Sequence, residues 1–158
     1  MKIISDTTPI ISLASVGRLD ILEKLFGEIF IPEAVYKEIK AKKAYGYSEI
    51  DSDYIKTEAV KGKVCRDFLL NQLDMGEAEV ILLAKEMDAD AVIIDENLGY
   101  RIAKNSGLNV VRTLSVILKA KEKGIITEAK PLLDEMLMKG IWYSARVCES
   151  FLKKAGEL

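Results

Sequence analysis

Two apolar runs in this 158-residue chain each stop at an aspartate. Ile3-Ile4-Ser5-Asp6 leads through Thr7 and Thr8 into Pro9-Ile10-Ile11, and Ala91-Val92-Ile93-Ile94-Asp95 leads through Glu96 to Asn97. A short apolar run without polar alternation reads as a strand buried on both faces, the usual condition of a parallel sheet. A helix is expected directly after the first run. Thr8 can cap it, and Pro9 suits its first position, where a missing N–H costs nothing. In open parallel α/β sheets, sites form outside the carboxyl ends of the strands. Asp6 and Asp95 are therefore expected on one edge of one sheet, although each also reads as a plain turn residue between a strand and a helix.

The intervening pattern supports that architecture. Ser12 to Phe26 carries apolar residues at helical spacing and closes at Gly27. Glu28–Ile31 reads as a strand, Pro32 to about Lys42 as a helix, and Lys43–Asp53 as a loop or weak helix. Tyr54–Val60 alternates like an edge strand, and a helical run follows Gly62 to about Leu73. Leu73-Asp74-Met75-Gly76-Glu77 is a strong helix start. A helix is expected from Asn97, which Gly107 ends, and another to about Lys123, which Thr113 can cap, with a short strand Asn109–Arg112 between them. Two more cover 128–139 and 144–155. Strands alternating with helices predict an α/β fold: a three-layer α/β/α sandwich around a mainly parallel sheet. No repeat or low-complexity linker interrupts the chain. A single domain over 1–158 is expected, with 125–158 as a C-terminal helical extension packed on it.

Composition narrows the chemistry. The chain has no histidine, which removes Ser-His-Asp and Cys-His triads, H-E-x-x-H zinc sites and histidine general bases together. Cys65 and Cys148 are far apart and form no C-x-x-C motif, so neither a disulfide framework nor a zinc ribbon is indicated. Hydrolytic chemistry would have to rest on carboxylates, lysines or a hard metal with oxygen ligands. A net charge of −2 gives no support to broad nucleic-acid binding, though local basic clusters remain. No signal-peptide pattern or bilayer-spanning run is visible, and a cytoplasmic location away from membranes is expected.

Two further acids join the strand-tip aspartates. Glu38 lies three residues beyond Val35, on the apolar side of its helix, and reads either as a site residue or as a solvated boundary glutamate. Glu77 falls in the first turn of its helix among Val80, Ile81 and Ala84. It also forms a capping-box spacing with Asp74, so two roles compete for one carboxylate. Glu79 is on another face and is expected in solvent. Four carboxylates brought together would repel, and desolvation would raise some of their pKa values. A divalent cation relieves that conflict, and oxygen ligands suit Mg2+ or Mn2+.

The order of these motifs resembles the PIN-domain family: Ser5-Asp6-Thr7, Glu38, Gly76-Glu77-Ala78-Glu79, then Asp95 after an Ile-rich strand. The likeness runs from Lys2 to about Lys123. The tail, Gly140-Ile141-Trp142-Tyr143-Ser144, suits the branch similar to the VapC-like toxin ribonucleases of toxin–antitoxin pairs. The resemblance implies Mg- or Mn-dependent cleavage of RNA, with Asp6, Glu38, Glu77 and Asp95 as the catalytic acids. It assigns Asp6, Glu77 and Asp95 to the metal and has Glu38 acting through a water. Thr7 would orient Asp6 or a water, and Asn97 stands where many members carry another acid. Glu96, one step along the chain from Asp95, is expected to point elsewhere.

Lys37, Lys40, Arg101 and Lys104 are the candidate RNA contacts, with Tyr45, Tyr47 and Trp142 available for stacking or, more ordinarily, for packing. A cognate antitoxin and a homodimer are the expected protein partners. The tail stripe Leu132, Leu133, Met136 and Leu137 reads as core. The competing readings are a catalytically silent module that binds RNA or a partner, and a phospho-acceptor domain. The latter lacks its acid pair near Asp6, and Arg112 stands where its late-strand lysine would be. No G-x-G-x-x-G follows any strand, which speaks against a dinucleotide fold.

Overall fold

In the computed structural model, which describes residues 1–158, the chain opens with β1 (Ile3–Ser5), α1 (Thr7–Ser15) and α2 (Asp20–Phe26). Next come β2 (Ile29–Pro32), α3 (Glu33–Lys40), a short 3-10 turn at Glu49–Asp51, β3 (Ile55–Glu58) and α4 (Lys63–Leu69). The second half runs α5 (Met75–Met87), β4 (Ala91–Ile93), α6 (Asn97–Asn105), β5 (Val110–Val111) and α7 (Thr113–Glu122). It ends with α8 (Lys130–Met138) and α9 (Ala145–Ala155).

The strands form one parallel sheet in the order β3-β2-β1-β4-β5. This is a three-layer α/β/α sandwich of the expected kind. Ile3, Ile4, Ile29, Ile31, Val92 and Ile93 are all buried, because helices cover both faces of the central strands. Helix α5 lies across β1, β2 and β4, with α3 and α4 beside it; α2 packs on β2 and α7, and α9 packs on α7. The chain builds outward from β1 through β2 to β3, then returns to the other side of β1 with β4. The point where strand order reverses therefore lies between β1 and β4, whose carboxyl ends lead into Asp6 and Asp95. Crevices at such switch points are where open α/β sheets bind ligands.

Local departures from the expected elements have simple causes. The first helix begins at Thr7, with Asp6 in the cap position and Pro9 third in the helix rather than first. Pro9 still sits in the opening turn, where its absent N–H has no partner to lose. The run to Phe26 is two helices, because Gly17 adopts a left-handed φ of 66° between them. Pro32 caps α3 rather than opening it, and Arg112, not Thr113, holds the cap position of α7.

In the tail, Leu132, Leu133 and Met136 are core as expected, while Leu137 is partly exposed. Trp142 is not packed at all: it is 80% exposed. The tail is tied down by Glu157. Its carboxylate accepts the N–H groups of Ala129 and Lys130 at the start of α8, both at 2.8 Å, and pairs with the Lys121 ammonium at 2.8 Å. No helix is long and apolar enough to cross a membrane.

Candidate functional site

Asp6 is the centre of the site. It follows β1 directly, and its own N–H is fixed to the Ile93 carbonyl of β4 at 3.0 Å. Its side chain caps nothing, although it stands in the cap position of α1. The residue is only 4% exposed. Burial is the main cause that lifts its carboxyl from the ordinary 3.8 to about 7; Glu77, Asp74 and Glu38 push the same way, against the Thr7 N–H.

Gly76 shows how closely three of these acids gather. A methyl group at its Cα would lie 3.2 Å from Glu38 Oε2 and 3.5 Å from both Asp6 Oδ1 and Asp74 Oδ1. The small residue lets the first turn of α5 approach the strand tip without filling the space among the carboxylates. Gly99, in the first turn of α6, does the same for Glu77, whose Oε2 would be 2.8 Å from a Cβ there.

Glu77 resolves the competition between cap and site by dividing its oxygens. Oε1 accepts the Asp74 N–H at 3.2 Å while Asp74 Oδ1 accepts the Glu77 N–H at 2.8 Å, a complete capping box. Oε2 remains directed toward Gly99 and α6. Burial raises the Glu77 carboxyl, with Asp74 and Glu96 adding repulsion. Glu96 was expected to point elsewhere. It is exposed, yet its charge still adds to the repulsion on Glu77.

Several side chains take positions that the sequence pattern did not give. Thr7 donates to Glu38 Oε2 at 2.8 Å, so it orients Glu38 rather than Asp6. Asp95 receives the Thr113 N–H at 2.8 Å and the Thr113 hydroxyl at 2.6 Å. Both its oxygens are engaged at the start of α7, and the acids pressing on Asp6 are Glu77, Asp74 and Glu38. Glu79 is buried, not solvated: it accepts the Ala34 N–H at 3.0 Å and pairs with Arg66 at 3.1 Å, joining α5 to α3 and α4. Asn97 is exposed at the start of α6, on the rim of a cleft.

The candidate RNA contacts divide in the same way. Lys37 is exposed and lines a depression of about 430 Å³ beside Glu38. Lys40 is committed elsewhere, its ammonium 2.8 Å from Asp51 and 3.8 Å from the centre of the Tyr47 ring. Arg101 and Lys104 are exposed on α6. A larger cleft of about 940 Å³ opens on the other side of the acids, between the β4 tip and the C-terminal segment.

A family model described as a PIN domain matches residues 2–157. The chain belongs to the PIN-domain family. No curated protein sequence matches it. PIN domains are in general nucleases and typically use divalent metal ions. The donor set here agrees with that habit: a buried carboxylate without a protein cation beside it, gathered with other carboxylates around a space left open by glycine. No three acids are closed up, as they stand, into a ready grip on an ion.

From the sequence alone Asp74 reads only as a cap and Glu96 as pointing away, whereas both charges act on Glu77. The signal for Asp74 was present, since a complete capping box places its carboxylate beside that of Glu77. Gly76 and Gly99 were legible as helix residues, but their role in leaving space depends on contacts between elements distant in the chain.

Proposed function

We propose that this PIN domain is a metal-dependent endoribonuclease that cleaves RNA phosphodiester bonds, and that it serves as the toxin of a toxin–antitoxin pair. The observation that carries the nuclease reading is Asp6: buried, held near neutrality, and pressed by Glu77, Asp74 and Glu38 at the switch point of the sheet. Such a cluster costs stability unless a cation occupies it. Asp6 and Glu77 Oε2 are the groups that would hold Mg2+ or Mn2+, with Asp74 and Glu38 beside them. The bound ion supplies Lewis acidity toward a phosphodiester and eases ionisation of water. Thr7 fixes the Glu38 carboxylate at the rim, where it can hold a water or a ribose hydroxyl. Asp95, through Thr113, keeps the tip of β4 and the start of α7 in register around the site. The toxin role, a cognate antitoxin and a homodimer follow from the VapC-like pattern of the motifs and are proposed with it.

The deciding experiment compares wild-type and Asp6→Asn protein on a panel of defined RNAs in EDTA, magnesium or manganese. Metal-dependent cleavage by the wild type alone supports the reading. Equal cleavage by a folded Asp6→Asn protein would reject it. The second reading, a silent RNA- or partner-binding module, draws on the open arrangement of the acids and on the engagement of Asp95 by Thr113. Metal binding without turnover on any RNA would favour it.

A further inference from the structure

We propose that the cleft between the C-terminal segment and the tips of β4 and α7 binds a single strand of nucleic acid. Trp142 would stack on a base, and Arg112, Arg146 and Lys154 would meet phosphates. This rests on the nuclease reading, and it names where the strand lies on its way to the acids. The three cations line the cleft, and none of them takes part in a salt bridge of the molecule. Asp95, Glu96 and Asn97 also line it, and Glu96 acts on Glu77, so this side of the cleft neighbours the carboxylate group.

Trp142 is exposed but not loosely held. The N–H of Ile141 before it is bonded to the Met136 carbonyl at 3.0 Å. After it, the Tyr143 hydroxyl is buried near that of Ser12, and the Ser144 hydroxyl caps α9 by accepting the Val147 N–H at 3.1 Å. The backbone is held on both sides, and the indole stands out into solvent on the rim of the cleft. Arg112 is also set in place: it donates to the Asp95 carbonyl at 2.7 Å and lies over the Tyr100 ring at 4.2 Å. Its remaining N–H groups are available to an anion. An exposed indole and unpaired cations along a groove match a chain that alternates flat bases with phosphates. An acidic peptide would satisfy the cations but leave the indole without its partner.

Trp142 is the only tryptophan of the chain, so its fluorescence reports on this cleft alone. The full-length protein is titrated in EDTA with short unstructured oligoribonucleotides, and separately with poly-glutamate. Saturable, salt-sensitive quenching by the oligonucleotide is expected. Fluorescence anisotropy of labelled oligonucleotide should show roughly tenfold weaker binding by Trp142→Ala. Arg146→Ala and Lys154→Ala should each weaken binding and lower the salt slope by about 0.7. Lys56→Ala, on the far edge strand, should leave both unchanged. An RNA that is cleaved with metal yet never perturbs Trp142 would overturn this cleft and leave the nuclease reading intact. Quenching that persists although no metal supports cleavage would sustain the cleft and sink the nuclease reading. Equal or stronger response to poly-glutamate would overturn the assignment to nucleic acid.

Discussion

Asp6 is at odds with its own surroundings, and that conflict can be measured without any substrate. Its carboxyl titrates near 7 in the fold against 3.8 ordinarily, so between these values the folded state holds a proton that the unfolded chain has released. Metal-free stability should therefore fall as pH rises from about 4 to about 7, by an amount on the order of a few kcal/mol. Asp6→Asn removes the titrating group. The variant should match the wild type near pH 4 and exceed it in denaturant midpoint at pH 8, both in EDTA. Adding Mn2+ should raise the wild type at pH 8 and leave the variant where it was. A variant less stable than wild type at pH 8 in EDTA would contradict this account of Asp6. Gly76 offers a second test, since alanine normally stabilises a helix over glycine by up to about 1 kcal/mol. Here the new methyl would crowd Glu38, Asp6 and Asp74. Gly76→Ala should keep or nearly keep its melting temperature while losing metal affinity about tenfold or more, as read by calorimetric titration.

At the scale of elements, what the chain shows plainly is whatever depends on neighbours in sequence. The capping box of Asp74 and Glu77, the strands leading to Asp6 and Asp95, and the helix over 144–155 all follow from local patterns, and all are present. What the pattern hid depends on partners far along the chain. Glu79 reads as solvated because nothing local marks Ala34 and Arg66 as its partners, and Thr7 reads as orienting Asp6 or a water because nothing local marks Glu38 as its acceptor. Asp95 is the instructive case. Its place at a strand tip is legible in the sequence, and its bonds to Thr113 add a brace between β4 and α7. Thr113→Val removes the hydroxyl and keeps the shape, leaving the Thr113-position N–H still bonded. It should cost roughly 1.5–3 kcal/mol in chemical denaturation, because the bond lost is to a carboxylate. If Asp95 acts mainly through this brace, Asp95→Asn should show a similar loss and retain most metal affinity. A collapse of metal binding with little loss of stability would instead make Asp95 a direct ligand.

Across the whole molecule, two buried or tethered carboxylates pull the pH dependence in opposite directions. Glu157, 13% exposed in its side chain, is held down to about 2 by Lys121 and by the N–H groups of Ala129 and Lys130, despite the cost of burial. Its folded pKa lies below the ordinary 4.5, so its contribution is present above that value and is lost as pH falls toward 2. Asp6 destabilises the metal-free fold as pH rises toward 7. The metal-free protein should accordingly be most stable in the mildly acidic range, not at neutrality. Glu157→Ala should cost roughly 1.5–3 kcal/mol at pH 7, because it frees both α8 N–H groups and the Lys121 ammonium. That loss should fade near pH 2, where the wild-type carboxylate is itself protonated. Saturating Mg2+ or Mn2+ should act at the other end, adding about 2.7 kcal/mol at a hundredfold excess over its Kd. Because the ion needs Asp6 ionised, it should carry the stability optimum upward toward neutral pH. A series of denaturant melts from about pH 2 to about pH 8, with and without metal, reads both ends of this curve at once. An optimum that stays at the same pH when metal is added would mean that Asp6 is not where the cation binds.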